Sequence, residues 1–166
     1  MKKIWFSVVL LIVFVSSGYL VKKRMREMEV TRCSSELKMT HKKRRMQLAG
    51  FADVYSEDPS KFRDVATRLT NIGHVLFGES SESYLVKPDG TRFTESRFEG
   101  VQLEGQKMDD EAVREALGGR SGEMHGLDYH GVVSYRIYSP LEIGGDAWGF
   151  ITEIDEAELA EGSCGI

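Results

Sequence analysis

The feature that most constrains this chain lies at its start. Ile4 to Val21, IWFSVVLLIVFVSSGYLV, is eighteen residues without a charge, behind Met1-Lys2-Lys3. At about 1.5 Å of rise per residue, a helix of that length just crosses a hydrocarbon core of about 30 Å. The run also approaches the length of a signal peptide's apolar region, and Ser16-Ser17-Gly18 offers small residues for cleavage. An anchor and a cleaved signal therefore both stand, with the uncleaved anchor preferred. Orientation signals conflict. Lys22, Lys23, Arg24 and Arg26 outnumber Lys2, Lys3 and the α-amine, which by the positive-inside rule alone would keep the downstream part inside. Starts of the Met-Lys-Lys-apolar kind usually send the downstream part out, and the expected placement is single-pass in the inner membrane with the body on the periplasmic side.

Charge divides the rest of the chain. From Lys22 to Arg45 ten Lys/Arg face three acids, whereas from Met46 to Ile166 ten face 23. A basic stem beside an apolar run suits anionic lipid head groups, and the acidic body favours solubility. The basic stretch carries no aromatic side chain on which bases could stack, which argues against nucleic acid as a partner.

The stem lacks proline, has no glycine before Gly50 and is rich in helix formers, so it reads as one long helix to about Tyr55 with a ragged apolar stripe. Asp58-Pro59 opens a second helix to about Asn71, with Phe62, Val65, Ala66 and Leu69 on one face. Ser83 to Lys87 and Thr91 to Thr94 read as strands around the turn Pro88-Asp89-Gly90. A short helix spans Asp109 to Leu117. Strands follow at Gly122–His125, Tyr129–Tyr138 and Ala147–Ile154, and Asp155 starts a last helical turn. The order predicts an α+β domain: a five-stranded antiparallel sheet with a long N-terminal helix, preceded by one transmembrane helix. The expected divisions are an anchor at 1–21, a basic helix at 22–55, the domain at 56–160 and a tail at 161–166.

Five strings in series carry a family resemblance. They are Glu79-Ser80-Ser81-Glu82-Ser83-Tyr84-Leu85-Val86-Lys87-Pro88-Asp89-Gly90 with Thr94-Glu95-Ser96-Arg97-Phe98; Val113-Arg114-Glu115-Ala116-Leu117-Gly118-Gly119-Arg120-Ser121-Gly122; Asp128-Tyr129-His130-Gly131-Val132-Val133; Ser139-Pro140-Leu141-Glu142-Ile143; and Trp148 to Glu158. Over residues 75 to 160 the chain resembles the extracytoplasmic Cache (PAS-like) sensor domains of bacterial chemoreceptors, histidine kinases and nucleotide cyclases. The resemblance implies a small-ligand sensor acting in signal transduction. The family's second spanning segment, HAMP linker and output domains do not follow before Ile166, so the expectation is a sensor acting through a partner, a modulatory relative or a truncated receptor. It also places Cys33 and Cys164 near one another on the membrane side. Three states remain open for them: an internal disulfide, a Cys33–Cys33 bridge between two chains, or two thiols.

Tyr84, Ser96, Arg97, Tyr129, Arg136 and Tyr138 are the candidate ligand residues. Arg97 is suited either to clamp a ligand carboxylate or to tie its loop by a salt bridge. Tyr129 and Tyr135 are expected on one face of the long strand, with Arg136 and Tyr138 on the other. Aromatic walls with an arginine suit a small organic anion. The family's amino-acid signature is not evident, and Trp148 reads as core. No nucleophile elbow, phosphate loop or metal-ligand spacing is present, so neither catalysis nor a cofactor is expected. The competing reading is a structural or interaction protein that forms a homodimer through its stem. Room beside Arg and Tyr favours the sensor, and a face filled by Phe, Leu and Ile favours the alternative.

Overall fold

The computed structural model describes residues 2–71, 77–98 and 100–162, with side chains from Gly18 onward. Helix α1 (Lys2–Gly50) is continuous over 49 residues, about 74 Å. Among the described residues no helix is long and apolar enough to cross a membrane. Of the expected anchor at 1–21, the side chains of residues 1–17 lie outside that description, and Tyr19, Leu20 and Val21 are exposed.

One side of α1 is buried through Cys33, Leu37, His41, Arg44 and Leu48, spaced three or four apart. The helix stops at Gly50, short of Tyr55, and the short α2 (Ala52–Glu57) follows. Helix α3 (Pro59–Asn71) begins as its sequence dictates. Asp58 Oδ1 accepts from the Ser60 and Lys61 amides at 3.0 and 3.1 Å, and Pro59 fills the first turn, where its missing N–H costs nothing.

Among the described residues the sheet has four strands in the order β1-β4-β3-β2, all antiparallel. They are β1 (Glu82–Val86), β2 (Gly122–Leu127), β3 (Val133–Ile143) and β4 (Asp146–Asp155). Helix α4 (Glu111–Leu117) lies in the β1–β2 connection and α5 (Glu156–Glu161) follows β4. The expected fifth strand, Thr91–Thr94, is not one. Only single bridges form, Val86 to Arg92 and Thr91 to Lys107, because at Leu85 the amide turns to the Thr94 hydroxyl instead of a ladder carbonyl.

The β3 expectation also shifts. Tyr129 belongs to a turn, closed by Asp128 Oδ1 accepting from the His130 and Val132 amides, with Gly131 at φ 78°. β3 instead runs on through Pro140. Proline is tolerated there because pairing with β2 ends at Tyr138, leaving no ladder partner on that side to miss its N–H.

The two faces of the sheet differ in kind. Toward the helices lie Leu48, Phe62, Ala66, Leu85, Phe93, Leu141, Ile143, Trp148 and Phe150, continuous along the strands with Tyr135, Ile137 and Ile154. Trp148 is core, edge-on to Phe93 at 4.9 Å and to Tyr55 at 5.1 Å. A polar clasp interrupts this apolar layer. His41 Nδ1 and Nε2 bond to the hydroxyls of Thr152 (2.9 Å) and Ser139 (2.8 Å). Arg44 donates to Ser83 Oγ at 2.6 Å, and Ser83 bonds Thr152 at 2.9 Å. Burial, reinforced by the charges of Arg45 and Arg44, holds His41 down to about 3, so it stays neutral with one ring nitrogen donating and the other accepting.

Candidate ligand-binding face

Alternation along three strands puts Glu82, Tyr84, Arg136, Tyr138 and Glu153 on the face turned away from α1. The connection at 87–121 covers it with Arg92, Ser96, Asp110 and α4, and the turn after β2 brings in Tyr129. Because that turn breaks the strand before Val133, Tyr129 joins the face of Arg136, not that of Tyr135. The expected pairing of Tyr129 with Tyr135 is thereby corrected.

Two ionic centres lie side by side. In the first, Arg92 grips Glu82 through both terminal nitrogens (2.6 and 3.2 Å) and donates Nε to the Thr94 carbonyl at 3.0 Å. Glu82 accepts further from Ser96 Oγ (2.7 Å), the Arg97 amide (3.1 Å) and the Tyr129 hydroxyl. The Arg92 guanidinium rests 4.4 Å above the Tyr84 ring.

In the second, Arg136 reaches Glu153 (3.2 Å), Asp110 (2.8 Å) and the Leu127 carbonyl (3.3 Å). It also donates to the Tyr84 hydroxyl, which itself donates to Glu153 at 3.3 Å. Asp110 doubles as the N-cap of α4, accepting from the Val113 amide at 3.0 Å. Arg92 and Arg136 are at most 1% exposed.

Three carboxylates thus contact two guanidiniums. For Glu82, burial pushes the carboxyl up, but the Arg92 hydrogen bond and charge, with Tyr129 and Ser96, outweigh it and hold it below the ordinary range. For Glu153 burial wins. Opposed by Arg136 and reinforced by Glu82 and Asp128, it lifts the carboxyl to about 8, so Glu153 carries the proton that the excess of acids requires at neutral pH.

All six expected residues occur on or around this face. Ser96 and Tyr129 converge on Glu82, and Tyr84 and Arg136 on Glu153. Tyr138 packs with Val113 and Ala116, its ring so close over Gly122 that a Cβ there would lie 2.5 Å from the hydroxyl. Arg97 contributes its amide, while its guanidinium bonds the Ser81 and Glu79 carbonyls and covers the Phe98 ring. Its loop encloses an open hollow of about 600 Å3 with Phe98 and Leu103 in the wall. Sequence reading missed Glu82, Arg92, Asp110 and Glu153. The available signal was a lone acid inside the apolar run Trp148 to Ile154, which needs a counter-charge if that run is a buried strand.

Neither a family model nor a curated protein matches this sequence. Among solved structures the chain is similar to the sensor domain of the V. cholerae histidine kinase DctB, with a TM-score of 0.58 at 13% identity. At such identity the likeness is one of fold. The match covers 87% of this chain and spans 60% of that domain's length. The E. coli DcuS sensor domain (TM-score 0.47, 12% identity, 75% of this chain and 97% of that one) is also similar. So is a methyl-accepting chemotaxis protein from Vibrio parahaemolyticus (0.49, 13%, 82% and 97%). The DctB domain is a histidine kinase sensor domain, in line with the Cache-type resemblance.

Proposed function

We propose that this protein is a membrane-anchored extracytoplasmic sensor that binds a small polar ligand on the Arg92–Arg136 face and signals through a partner. The observation that carries the reading is the buried ionic cluster. Replacing buried ion pairs by well-packed apolar residues is often neutral or stabilising, so a sheet face needing only cohesion has no use for two guanidiniums. Both are already engaged by Glu82, Glu153 and Asp110, so an organic anion enters by exchange with one of these carboxylates. Asp110 is the exchangeable one, with 18% of its side chain exposed at the rim. Its departure from Arg136 would shift the start of α4, coupling binding to a movement of the cover. The uncharged run at 4–21 supports the anchor, in a single pass through the inner membrane with the body in the periplasm.

The test is a thermal-shift screen of the full chain in detergent against small organic acids, amines and amino acids. One class of acid is expected to raise the melting temperature, with the shift abolished in Arg136→Gln and enlarged in Asp110→Asn, which removes the internal competitor. A flat response, or shifts indifferent to both variants, would sink the sensor reading in favour of an interaction protein.

We further propose that Cys33 pairs with Cys164, which lies outside the described residues. Two observations support this. Cys33 is buried and is not a free thiol. One turn before it, Glu29 Cβ approaches Gly162 so closely that a Cβ on that glycine would sit 2.9 Å away. The expected result is a monomer whose electrophoretic mobility changes on reduction in the native protein but not in Cys164→Ser. A disulfide-linked dimer that persists in Cys164→Ser would instead establish the Cys33–Cys33 bridge.

A further inference from the structure

Helix α1 uses one side to hold the domain and leaves the other bare. Met25, Met28, Met39 and Met46 are exposed opposite the buried row of Cys33, Leu37, His41, Arg44 and Leu48. Met25, Met39 and Met46 are separated by multiples of seven, and Met28 follows Met25 by three, the spacing of a seam that meets a second helix. Met39, Lys42, Lys43 and Met46 outline a shallow hollow of about 400 Å3, bordered by Gln47. Residues at i, i+3, i+4 and i+7 form the hole that receives a knob from a facing helix, and methionine adapts its shape to the side chain that enters.

Charge decides which helix enters. Neither Lys42 nor Lys43 has an ion-pair partner among the described residues, whereas Lys38 is held by Glu123 at 2.6 Å and Arg45 donates to the Pro140 carbonyl. A second copy, aligned in parallel and in register, would set Lys42 against Lys42 and Lys38 beside Lys43. An antiparallel copy centred on the hole would crowd the same lysines, and such like-charge contacts exclude wrong partners. Anionic lipid is out of reach. Lys42 stands about 32 Å along the helix from Val21, while the field of a membrane surface fades within a Debye length of about 8 to 10 Å.

We propose that the Met39–Met46 hole takes the apolar knobs of an amphipathic helix with acidic flanks, supplied by a different protein. This deepens the partner half of the proposed function and rests on that reading, while using residues on the opposite side of α1 from the ligand face. The probes are two synthetic helical peptides with leucine seams, one flanked by glutamates and the other by lysines. Their binding to the full chain in detergent is read by fluorescence anisotropy at low and high salt. The glutamate peptide is expected to bind, weakening with salt and by at least about tenfold in Met39→Ser plus Met46→Ser. Lys42→Glu plus Lys43→Glu is expected to transfer binding to the lysine peptide. These side chains are exposed, so the variants should keep the native melting temperature and ligand response, which separates failure here from failure of the sensor reading. Equal binding of both peptides would overturn the proposal. So would a homodimer by light scattering that the methionine variant dissolves, since a second copy would then cover the seam.

Discussion

Arg92→Ala is expected to cost about 3–5 kcal/mol of folding stability, because it leaves the Glu82 carboxylate buried without its guanidinium. The neighbouring donors do not replace it. Ser96, the Arg97 amide and Tyr129 supply hydrogen bonds to Glu82, but none carries the charge that offsets its desolvation. Glu82→Ala should be comparably damaging, since it strands the cation. Removing both charges together with Arg92→Met and Glu82→Leu should cost much less than the sum of the singles, as buried pairs replaced by apolar residues of similar volume often do. Unfolding in denaturant of the native protein, Arg92→Met, Glu82→Leu and the double variant gives the cycle, and the two alanine variants give the cost of each stranded charge. A single-variant loss below about 1 kcal/mol would mean that water or another group reaches this site, and the ionic cluster would lose its structural role.

Glu153→Gln is expected to raise stability at alkaline pH and to flatten its pH dependence. The sign comes from the direction of the shift. A carboxyl lifted to about 8 in the folded protein, against an ordinary value of 4.5, binds its proton more tightly folded than unfolded. Between those values the native state holds the extra proton, so stability falls as pH rises, by up to about 1.4 kcal/mol per pH unit. Below the window Glu153 contributes no slope. Glu82 runs the other way. Its lowered value gives stability that is present above the ordinary carboxylate range and lost as pH falls through its folded value. The native protein should therefore melt highest in mild acid and progressively lower toward pH 8, while Glu153→Gln holds its melting temperature across that interval. A slope unchanged by the substitution would show that Glu153 is ionised throughout, and the excess-carboxylate account of the cluster would fall with it.

Local signals carried much of the fold. The helical spacing of Phe62 and Ala66, the Asp58-Pro59 start and the core place of Trp148 each depend on neighbours within a few residues, and each is where the sequence puts it, while the start of α4 moves on by one residue, capped by Asp110 and not Asp109. The strand expected at Thr91–Thr94 failed because the deciding partners, Glu82 for Arg92 and Leu85 for Thr94, come from across the hairpin. The parity of Tyr129 failed for a different reason. Asp128 and Gly131 build a turn inside what reads as one extended run, and a turn resets which face the next residue takes. The candidate site was half legible. Arg136 and the tyrosines are conspicuous in a β run, but their acids come from other strands, and no spacing rule links Arg136 to Glu153 or Arg92 to Glu82.

The clasp joining α1 to the sheet has a mechanical consequence. Ser83 and Thr152 are the immediate chain neighbours of Glu82, Tyr84 and Glu153, so the floor of the proposed ligand face and the seat of His41 and Arg44 are two sides of the same strands. A change on one side needs no relay to reach the other, only a shift of β1 or β4 by a fraction of a residue. If the proposed ligand shifted those strands, helix α1 would act as a lever arm pivoting at the clasp. From His41 to Lys2 is about 58 Å of unbroken helix, so a tilt of about one degree moves the far end by about 1 Å.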